Sequence, residues 1–191
     1  MCDFMKIIKT EIPDLLVIEP KVFDDERGYF FESYNEKKFR DTGLNFNFVQ
    51  DNESKSTYGV IRGLHYQLAP YSQAKLIRVI TGKIYDVVVD LRVNSPTYGQ
   101  WLGFEISAEN RRQILIPRGF AHGFSVLSDY TIFLYKCDNL YHPEADRGIY
   151  YADPELNIDW KIDPAVAIIS GKDMIHPPFG KSEKNFTYGA I

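Results

Sequence analysis

Short runs of β-forming residues, each bounded by turn sequence, fill the middle of this 191-residue chain. They are rich in Val, Ile, Tyr and Phe, recur at intervals of roughly 8–12 residues, and do not alternate with helical patterns. This arrangement favours an antiparallel sandwich or barrel over repeated β–α–β units, and a jelly roll fits it best. The predicted strands are 46–50, 57–61, 75–80, 83–91, 101–107, 112–116, 120–127 and 130–136.

The two ends of the chain differ from this middle. An aromatic run over 29–34 predicts a strand, and Asn35 as N-cap with Gly43 as stop predicts a helix over 35–42. From about residue 141 to 191, several prolines and weak periodicity predict loops and short helices that pack over the barrel. We therefore expect one all-β domain over residues 1–191, with a few short helices mainly near the C-terminus.

Composition and charge restrict the classes of function. A hydrophobic content of 45% with 15% aromatic residues is typical of a folded globular protein. A net charge of −4 argues against binding to nucleic acid or to an anionic membrane surface. We expect neither a signal peptide nor a membrane span, because no apolar run has the required length. Cys2 and Cys137 are expected to be free thiols of a cytoplasmic protein.

Three basic residues lie close together in the sequence. Arg62 and His65 occur in Arg-Gly-Leu-His-Tyr-Gln, and Lys75 follows ten residues after the histidine, in what the pattern predicts to be a β-hairpin. Taken singly, His65 fits a half-buried strand histidine and Lys75 the polar edge of a strand. Taken together near apolar strands, they predict either an anion-binding site or a histidine with a tuned pKa.

Metal chemistry lacks the residues it needs. The segment Pro-Arg-Gly-Phe-Ala-His ending at His122 is similar to the second metal-binding motif of cupins, but the first motif requires His-x-His followed by Glu, and here only His65 is present. Two histidines are fewer than the three protein ligands usual for catalytic zinc, so we expect no metal. His142 and His176 lie in proline-containing loop sequence and are expected to be solvated.

Acid–base chemistry is compatible with the remaining residues. A Gly-x-Ser-x-Gly elbow and a phosphate-binding glycine loop are absent, and nothing in the sequence around Cys137 indicates an activated thiolate. A histidine can abstract a proton, a lysine can stabilise the enolate, and a tyrosine can return a proton. Tyr135 is the candidate tyrosine, although a core aromatic residue fits the same position.

Six motifs in this chain resemble those of the dTDP-4-dehydrorhamnose 3,5-epimerases, in the family's order from about residue 15 to 178. The matching segments are 25–30, 48–52, 62–67, 94–99, 117–124 and 170–173. The resemblance implies a cupin-like jelly roll, or double-stranded β-helix, that forms a homodimer and uses neither a cofactor nor a metal. It also implies inversion at C3 and C5 of a dTDP-linked 4-keto-6-deoxy sugar, in dTDP-L-rhamnose and polysaccharide biosynthesis.

The resemblance further implies a role for each matched residue. His65 would be the base, with Asp173 orienting its imidazole, Lys75 next to the C4 oxygen, and Tyr135 returning the proton from the opposite face. The matched substrate-binding residues are Arg27, Glu32, Gln50, Asn52, Arg62, His122, Tyr141, Asp146 and Lys172. Arg27 and Arg62 suit the diphosphate, because a guanidinium group pairs with phosphate oxygens. Asp146 and Gly171 occupy positions where the family commonly has Glu.

Three alternatives to this function remain open at the level of sequence. The first is a mono-epimerase on a related nucleotide sugar, which would share the fold and the base. The second is a non-catalytic cupin that binds sugar nucleotides, and the third is a metal-dependent cupin enzyme. The sequence also leaves open which nucleotide is preferred.

Overall fold

The computed structural model describes residues 4–189, and most of its regular structure is β-strand. The strands are β1 (Met5–Lys9), β2 (Leu16–Pro20), β3 (Phe23–Asp25), β4 (Gly28–Phe30), β5 (Gln50–Thr57), β6 (Val60–Gln67), β7 (Lys75–Thr81), β8 (Lys83–Asp90), β9 (Trp101–Ser107), β10 (Gln113–Ile116), β11 (Phe120–Val126), β12 (Tyr130–Cys137), β13 (Asp146–Gly148) and β14 (Ile168–Ile169). The α-helices are α1 (Glu36–Asp41) and α2 (Gly171–Met174).

Two sheets of antiparallel strands form the body of the molecule. The first sheet has the order β1-β2-β10-β7-β12-β5, and the second has the order β13-β6-β11-β8-β9. Strand β14 adds to β6 in parallel, and β3 pairs with β4 as a separate hairpin. This arrangement confirms the prediction of an all-β jelly roll.

Alternating side chains produce a core between the sheets and an apolar layer on the outer face of each. Ile77 and Phe133 of the first sheet pack with Val88 and Phe124 of the second in one buried cluster. The outer face of the second sheet is covered by the C-terminal segment, and that of the first by α1 and the segment 44–48. Both outer faces are therefore buried, as apolar residues on both sides of a strand require.

Helix α1 confirms the helix predicted over 35–42. The Asn35 side chain accepts a hydrogen bond from the Lys38 backbone N–H at 3.1 Å, which caps the N-terminus. Phe39 is 2% exposed and packs on the outer face of the first sheet. Burial of this one aromatic side chain holds a helix that is too short to be stable alone.

Three strands predicted in the N-terminal half of the chain are wrong in position. The segments 46–50 and 57–61 are not strands of their own, because β5 occupies Gln50–Thr57 and a turn at Tyr58 separates it from β6. β5 is an edge strand whose side chains alternate between half-buried and exposed, so its sequence is polar and carries no strand signal. The predicted strand 29–34 shrinks to Gly28–Phe30 in β4. β1, β2 and β3 were not predicted as strands.

The predicted hairpin of Arg62, His65 and Lys75 is also wrong. β6 lies in the second sheet between β11 and β13, whereas β7 lies in the first sheet between β10 and β12. Both edges of each strand are therefore occupied by other partners. His65 and Lys75 approach each other from facing sheets and not across one ladder.

The C-terminal tail contains more strand than its sequence indicates. β13 pairs with Gln67 through His65 of β6, and β14 pairs with Val60 and Ile61 of the same strand. These strands are two or three residues long, which is too short for a periodic signal. The tail is thereby attached to the strand that carries His65.

A register shift in β6 sets the direction of its side chains. His122 faces His65 and Phe124 faces Arg62, so Gly63 and Leu64 together oppose Gly123. Leu64 and Ile61 pack on the outer face of the sheet, so this bulge leaves Arg62 and His65 on the inner side despite their spacing of three. Gly63 has φ +131°, and a Cβ on it would lie 2.5 Å from Gly123 Cα.

Replacing Gly63 by alanine should therefore destabilise the fold strongly. The strained backbone conformation alone costs about 1–3 kcal/mol, and the contact with Gly123 adds to it. Gly43→Ala is the matched control, because Gly43 also has positive φ, +88°, but a Cβ on it would have no atom within 4 Å. Urea unfolding should give a clearly lower midpoint for Gly63→Ala than for Gly43→Ala, and equal midpoints would contradict the close approach.

Candidate active site

A cavity of about 220 Å³ opens between the two sheets at one end of the sandwich. The first sheet contributes side chains from β5, β7 and β12, and the second contributes side chains from β6 and β13. The lining residues are Gln50, Asn52, His65, Tyr66, Gln67, Gln73, Lys75, Tyr135, Tyr141, Asp146 and Lys172. Most residues proposed from sequence for catalysis and binding thus lie around one space.

His65 and Asp173 form a hydrogen-bonded pair at the wall of this cavity. His65 Nε2 lies 2.8 Å from Asp173 Oδ1, and the Gly63 backbone N–H donates to Asp173 Oδ2 at 3.3 Å. Asp173 is 3% exposed and belongs to α2, whose N-terminus is capped by Ser170. Within residues 4–189, His65 Nδ1 makes no hydrogen bond, so it is the ring nitrogen available to act as a base.

Asp173 is held in its charged form. Burial alone would raise its pKa, but the hydrogen bond and charge of His65, together with the Gly63 N–H, lower the pKa below its usual value. A carboxylate in this position fixes the tautomer with the proton on Nε2 and stabilises the imidazolium once Nδ1 takes a proton. The pair therefore has the geometry of a general base.

Lys75 places an ammonium group in the same cavity. Its side chain is half-buried, and among the described residues it forms no ion pair. Burial lowers the pKa of Lys75, while the charges of Asp146 and Asp86 act in the opposite direction. A partly desolvated cation without a fixed partner is well placed to stabilise an oxyanion that develops during a reaction.

Tyr135 reaches the cavity from the first sheet, opposite His65. The Lys75 Nζ lies 5.9 Å from the Tyr135 ring centroid, and the Phe133 ring lies 5.5 Å from it on the core side. Burial raises the pKa of Tyr135, and the nearby charge of Arg62 opposes this shift. The phenol therefore stays protonated at neutral pH and can donate a proton into the cavity.

A polar network surrounds the mouth of the cavity. Lys172 forms an ion pair with Asp146, and the Tyr141 hydroxyl donates to Asp146 Oδ2 at 3.2 Å. The Tyr141 backbone N–H donates to Gln50 Oε1 at 2.9 Å, and Gln50 Nε2 donates to Asn52 Oδ1 at 3.1 Å. Asp146 thus links Lys172 of α2 to Tyr141 in the loop before β13.

Two further residues from the sequence analysis lie beside the cavity and do not line it. Arg62 is exposed, and its Nε donates to Ser56 Oγ at 3.0 Å across the gap between β6 and β5. His122 is 7% exposed, and its Nε2 lies 2.7 Å from Asp86 Oδ2 beneath the cavity. Burial raises the pKa of Asp86, although the charge and hydrogen bond of His122 oppose this.

Asp86 was missed by the reasoning from sequence. It occurs in Lys83–Asp90, a nearly continuous apolar strand, with Ile84 and Val88 on the same face. A carboxylate on the core face of a strand needs a buried partner. The position of Asp86 in this apolar strand therefore indicated that it pairs with another polar residue.

Arg27 and Glu32 are not brought to the cavity of their own chain. Arg27 is 85% exposed at its side chain and pairs with Asp25 in the β3–β4 hairpin. Glu32 pairs with Lys38 at 2.8 Å, next to the start of α1. Neither residue lines the space around His65.

His176 is not solvated, contrary to the prediction from its loop sequence. Its side chain is 11% exposed, and its ring lies 5.7 Å from that of His65, centroid to centroid. Burial lowers the pKa of His176, and the neighbouring His65 acts in the same direction. Because His176 lies three residues after Asp173, its side chain lies next to the His65–Asp173 pair. His142 is half-buried, and its ring stacks on Tyr71 at 3.7 Å.

A larger cleft of about 1110 Å³ lies beside β2 and the segment 43–47. Its guanidinium groups are already engaged, because Arg92 pairs with Asp90 and Asp14, and Arg118 pairs with Asp138. The cavity around His65 instead brings together an imidazole paired with a carboxylate, the Lys75 ammonium group and the Tyr135 phenol. We therefore assign the chemistry to the smaller cavity.

Comparison with known proteins agrees with this geometry. The family model described as dTDP-4-dehydrorhamnose 3,5-epimerase matches residues 9–181. The chain belongs to the dTDP-4-dehydrorhamnose 3,5-epimerase family. A relative with this name from Shigella flexneri is 55% identical over 171 residues, covering 89% of this chain and 93% of the relative.

Solved structures of the epimerase family share the fold. A dTDP-4-dehydrorhamnose 3,5-epimerase from Elizabethkingia anophelis is 55% identical with a TM-score of 0.89, covering 93% of this chain and 97% of the other. A dTDP-6-deoxy-D-glucose-3,5-epimerase from Legionella pneumophila, solved in complex with dTDP-4-keto-L-rhamnose, is 48% identical with a TM-score of 0.89 and covers 93% and 94%. None of the helices between residues 4 and 189 has the length and apolar character of a membrane span.

The second cysteine of this epimerase-family chain lies near the site but is chemically quiet. Cys137 is 0% exposed and free, and burial raises its pKa to about 11, although Lys75 opposes the shift. Cys2 lies outside the described residues.

Cys137 should therefore resist alkylation and disulfide exchange in the folded protein. At pH 8 its thiol is protonated and inaccessible, and only the thiolate is nucleophilic. In a Cys2→Ser variant, Ellman's reagent should detect no thiol in the native state and the full thiol signal in guanidinium chloride. Rapid reaction of the native variant would contradict the burial of Cys137.

Proposed function

We propose that this chain is a dTDP-4-dehydrorhamnose 3,5-epimerase, an isomerase that inverts C3 and C5 of dTDP-4-dehydro-6-deoxy-D-glucose through enolates. The observation that carries the proposal is that His65 and Tyr135 lie on facing sheets around one cavity. Lys75 lines the same cavity from the sheet that carries Tyr135. Inversion requires removal of a proton on one face and its return on the other, and His65 and Tyr135 provide that separation. The product would be dTDP-4-dehydro-L-rhamnose, used in dTDP-L-rhamnose biosynthesis.

In the proposed reaction, the C4 ketone acidifies the hydrogens on C3 and C5. His65 Nδ1 takes the proton, Nε2–H donates to Asp173, and the charge of the imidazolium is balanced by that carboxylate. Lys75 stabilises the enolate oxygen at C4, where the negative charge develops. Tyr135 then protonates the same carbon from the opposite face, and solvent restores both residues.

We assign the matched polar residues to substrate binding. Arg62 would contact the diphosphate after leaving Ser56, and Gln50 and Asn52 would contact the nucleotide. Tyr141, Asp146 and Lys172 border the cavity mouth, and they would contact the substrate there. His122, which pairs with Asp86, would lie near the sugar of the substrate.

We propose that residues 1–191 act as one catalytic domain, because the site draws on both sheets and on the tail. A cytoplasmic location is also proposed, and the free thiol of Cys137 supports it.

Solvent deuterium should enter both C3 and C5 of dTDP-4-dehydro-6-deoxy-D-glucose during turnover. Loss of the corresponding proton signals in D₂O, followed by NMR, measures this directly. Exchange at one carbon alone would indicate a mono-epimerase. With folded protein and authentic substrate, exchange at neither carbon would refute the proposal.

Single variants separate the two proton-transfer roles in this experiment. His65→Ala should lower exchange and turnover by ~10²–10⁴-fold, because a general base is lost, while calorimetric binding of dTDP persists. If the protein were a non-catalytic binding module, the unsubstituted chain would have no turnover for His65→Ala to lower. Tyr135→Phe should retain exchange but lose net inversion, and Tyr130→Phe, on the exposed end of the same strand, is the matched control.

We also propose a homodimer in which the β3–β4 hairpin of one chain reaches the cavity of its partner. The hairpin exposes Phe23, Tyr29 and Phe30, which are 57%, 54% and 69% exposed in the single chain. An apolar cluster of this kind favours burial against another surface. Such a placement would deliver Arg27 and Glu32, which their own cavity does not use.

Mixing two inactive variants tests this exchange of hairpins. Arg27→Ala and His65→Ala chains, unfolded together and refolded, should recover part of the turnover, because one site of each mixed dimer then carries neither change. His65→Ala mixed with Tyr135→Phe is the control and should recover nothing, since both residues line the cavity of one chain. If the mixture of Arg27→Ala and His65→Ala chains recovers no turnover, the proposed exchange of hairpins between chains is wrong.

A further inference from the structure

His176 adds a third ligand-type side chain to the pair of His65 and Asp173. One ligand atom from each of the three lies within 4.8 Å of the others. His65 Nε2 is 2.8 Å and His176 Nε2 is 3.7 Å from Asp173 Oδ1. Both histidine nitrogens therefore face the same carboxylate oxygen.

His176 has no hydrogen bond to account for its position. Its Nε2 is buried and, within the part of the chain that the structure describes, has no hydrogen-bond partner. A buried polar atom left unpaired is costly, and most such atoms in folded proteins have a partner. The ring rests on Gly148, where a Cβ would lie 2.3 Å from Nε2. The glycine thus leaves space for an imidazole that points toward Asp173.

We propose that His65, Asp173 and His176 together bind Zn²⁺, and that the bound ion inhibits the epimerase. Two imidazole nitrogens and one carboxylate oxygen are a ligand set that zinc accepts, with water in the fourth position. Tetrahedral bonds of about 2.0–2.1 Å require ligand atoms separated by about 3.3 Å, which lies between the two distances to Asp173 Oδ1. His65 is the member of the trio that also lines the cavity.

The charges around the trio are compatible with a cation. The nearest ammonium group on α2, that of Lys172, is already paired with Asp146. Lys75 lines the cavity from β7, on the facing sheet.

Zinc at this position would remove the base, and this inference therefore rests on the role proposed above for His65. Coordination through Nε2 displaces the proton that Nε2 donates to Asp173. A neutral imidazole bound in this way carries its proton on Nδ1, the atom that must accept a proton from C3 or C5. The ring proton is thus moved from one nitrogen to the other, and no oxidation or bond cleavage is involved.

The test measures binding and turnover separately in the full-length protein. Titration calorimetry with ZnCl₂, and absorption bands of Co²⁺ as a spectroscopic substitute, report on the site without substrate. Zinc should bind one ion per chain and suppress deuterium exchange at C3 and C5, and EDTA should restore it. His176→Gln should weaken zinc binding by at least about 10–100-fold, because the loss of a residue that only hydrogen-bonds to a metal ligand typically costs that much affinity. Turnover without zinc should be unchanged.

His142→Gln is the matched control, because His142 is the other half-buried loop histidine and lies outside the trio. It should keep both zinc binding and inhibition. A circular dichroism melt of each variant, with His176→Asn as a second substitution, separates loss of the ligand from loss of the fold.

Each outcome decides the proposal. Zinc that does not bind, that binds equally well to His176→Gln, or that binds without suppressing exchange would overturn it. If the protein has no epimerase activity, the calorimetry and the Co²⁺ bands still test the site. Failure of the proposed function and failure of the zinc site are therefore distinguishable.

Discussion

The extra residue in β6 opposite Gly123 is the constraint on which the site depends. In a regular strand, side chains alternate, so Arg62 and Leu64 would share one face and His65 would lie on the other. The bulge at Gly63 and Leu64 breaks this rule once. Leu64 stays on the buried outer face while His65 turns inward, and the adjacent Gly63 N–H becomes a donor to Asp173.

The remainder of the fold supports that strand from both sides. The first sheet presents Lys75 and Tyr135 to the opening, while Ile77, Val79 and Phe133 fill the space farther in. Because close-packed side chains tolerate little displacement, the distance between the two sheets is fixed by this core. The separation of His65 and Tyr135 is therefore a property of core packing, set by residues that do not line the cavity.

Sequence reasoning recovered the fold class, and its errors have identifiable causes. Strands β7 to β12 carry apolar residues on faces that are buried, so their positions were predicted within one or two residues. β5 is a polar edge strand and β13 and β14 are very short, and such strands leave no periodic pattern. Pairing also escaped prediction, because alternation specifies which face is buried and not which strand lies alongside.

The site residues divide in the same way. His65, Lys75 and Tyr135 were candidates from the residues themselves, and Asp173 came from the resemblance. The structure brings all four together around one cavity or at its wall. Asp86 was missed although its place on an apolar strand called for a buried partner. His176 was misplaced, because its loop sequence gives no sign that it becomes buried beside another histidine. That information lies in the return of the tail to β6, which is a tertiary event.

The separation of 108 residues between His65 and Asp173 affects how activity is acquired during folding. Contacts between distant segments form slowly, since a long loop must close before they contribute stability. α2 lies near the C-terminus and is only four residues long, so it gains its conformation from docking and not from its own propensity. A chain whose sheets have formed but whose tail is still undocked would therefore have a cavity with an unoriented imidazole. Catalytic competence would then report the last stage of folding, after the secondary structure is already complete.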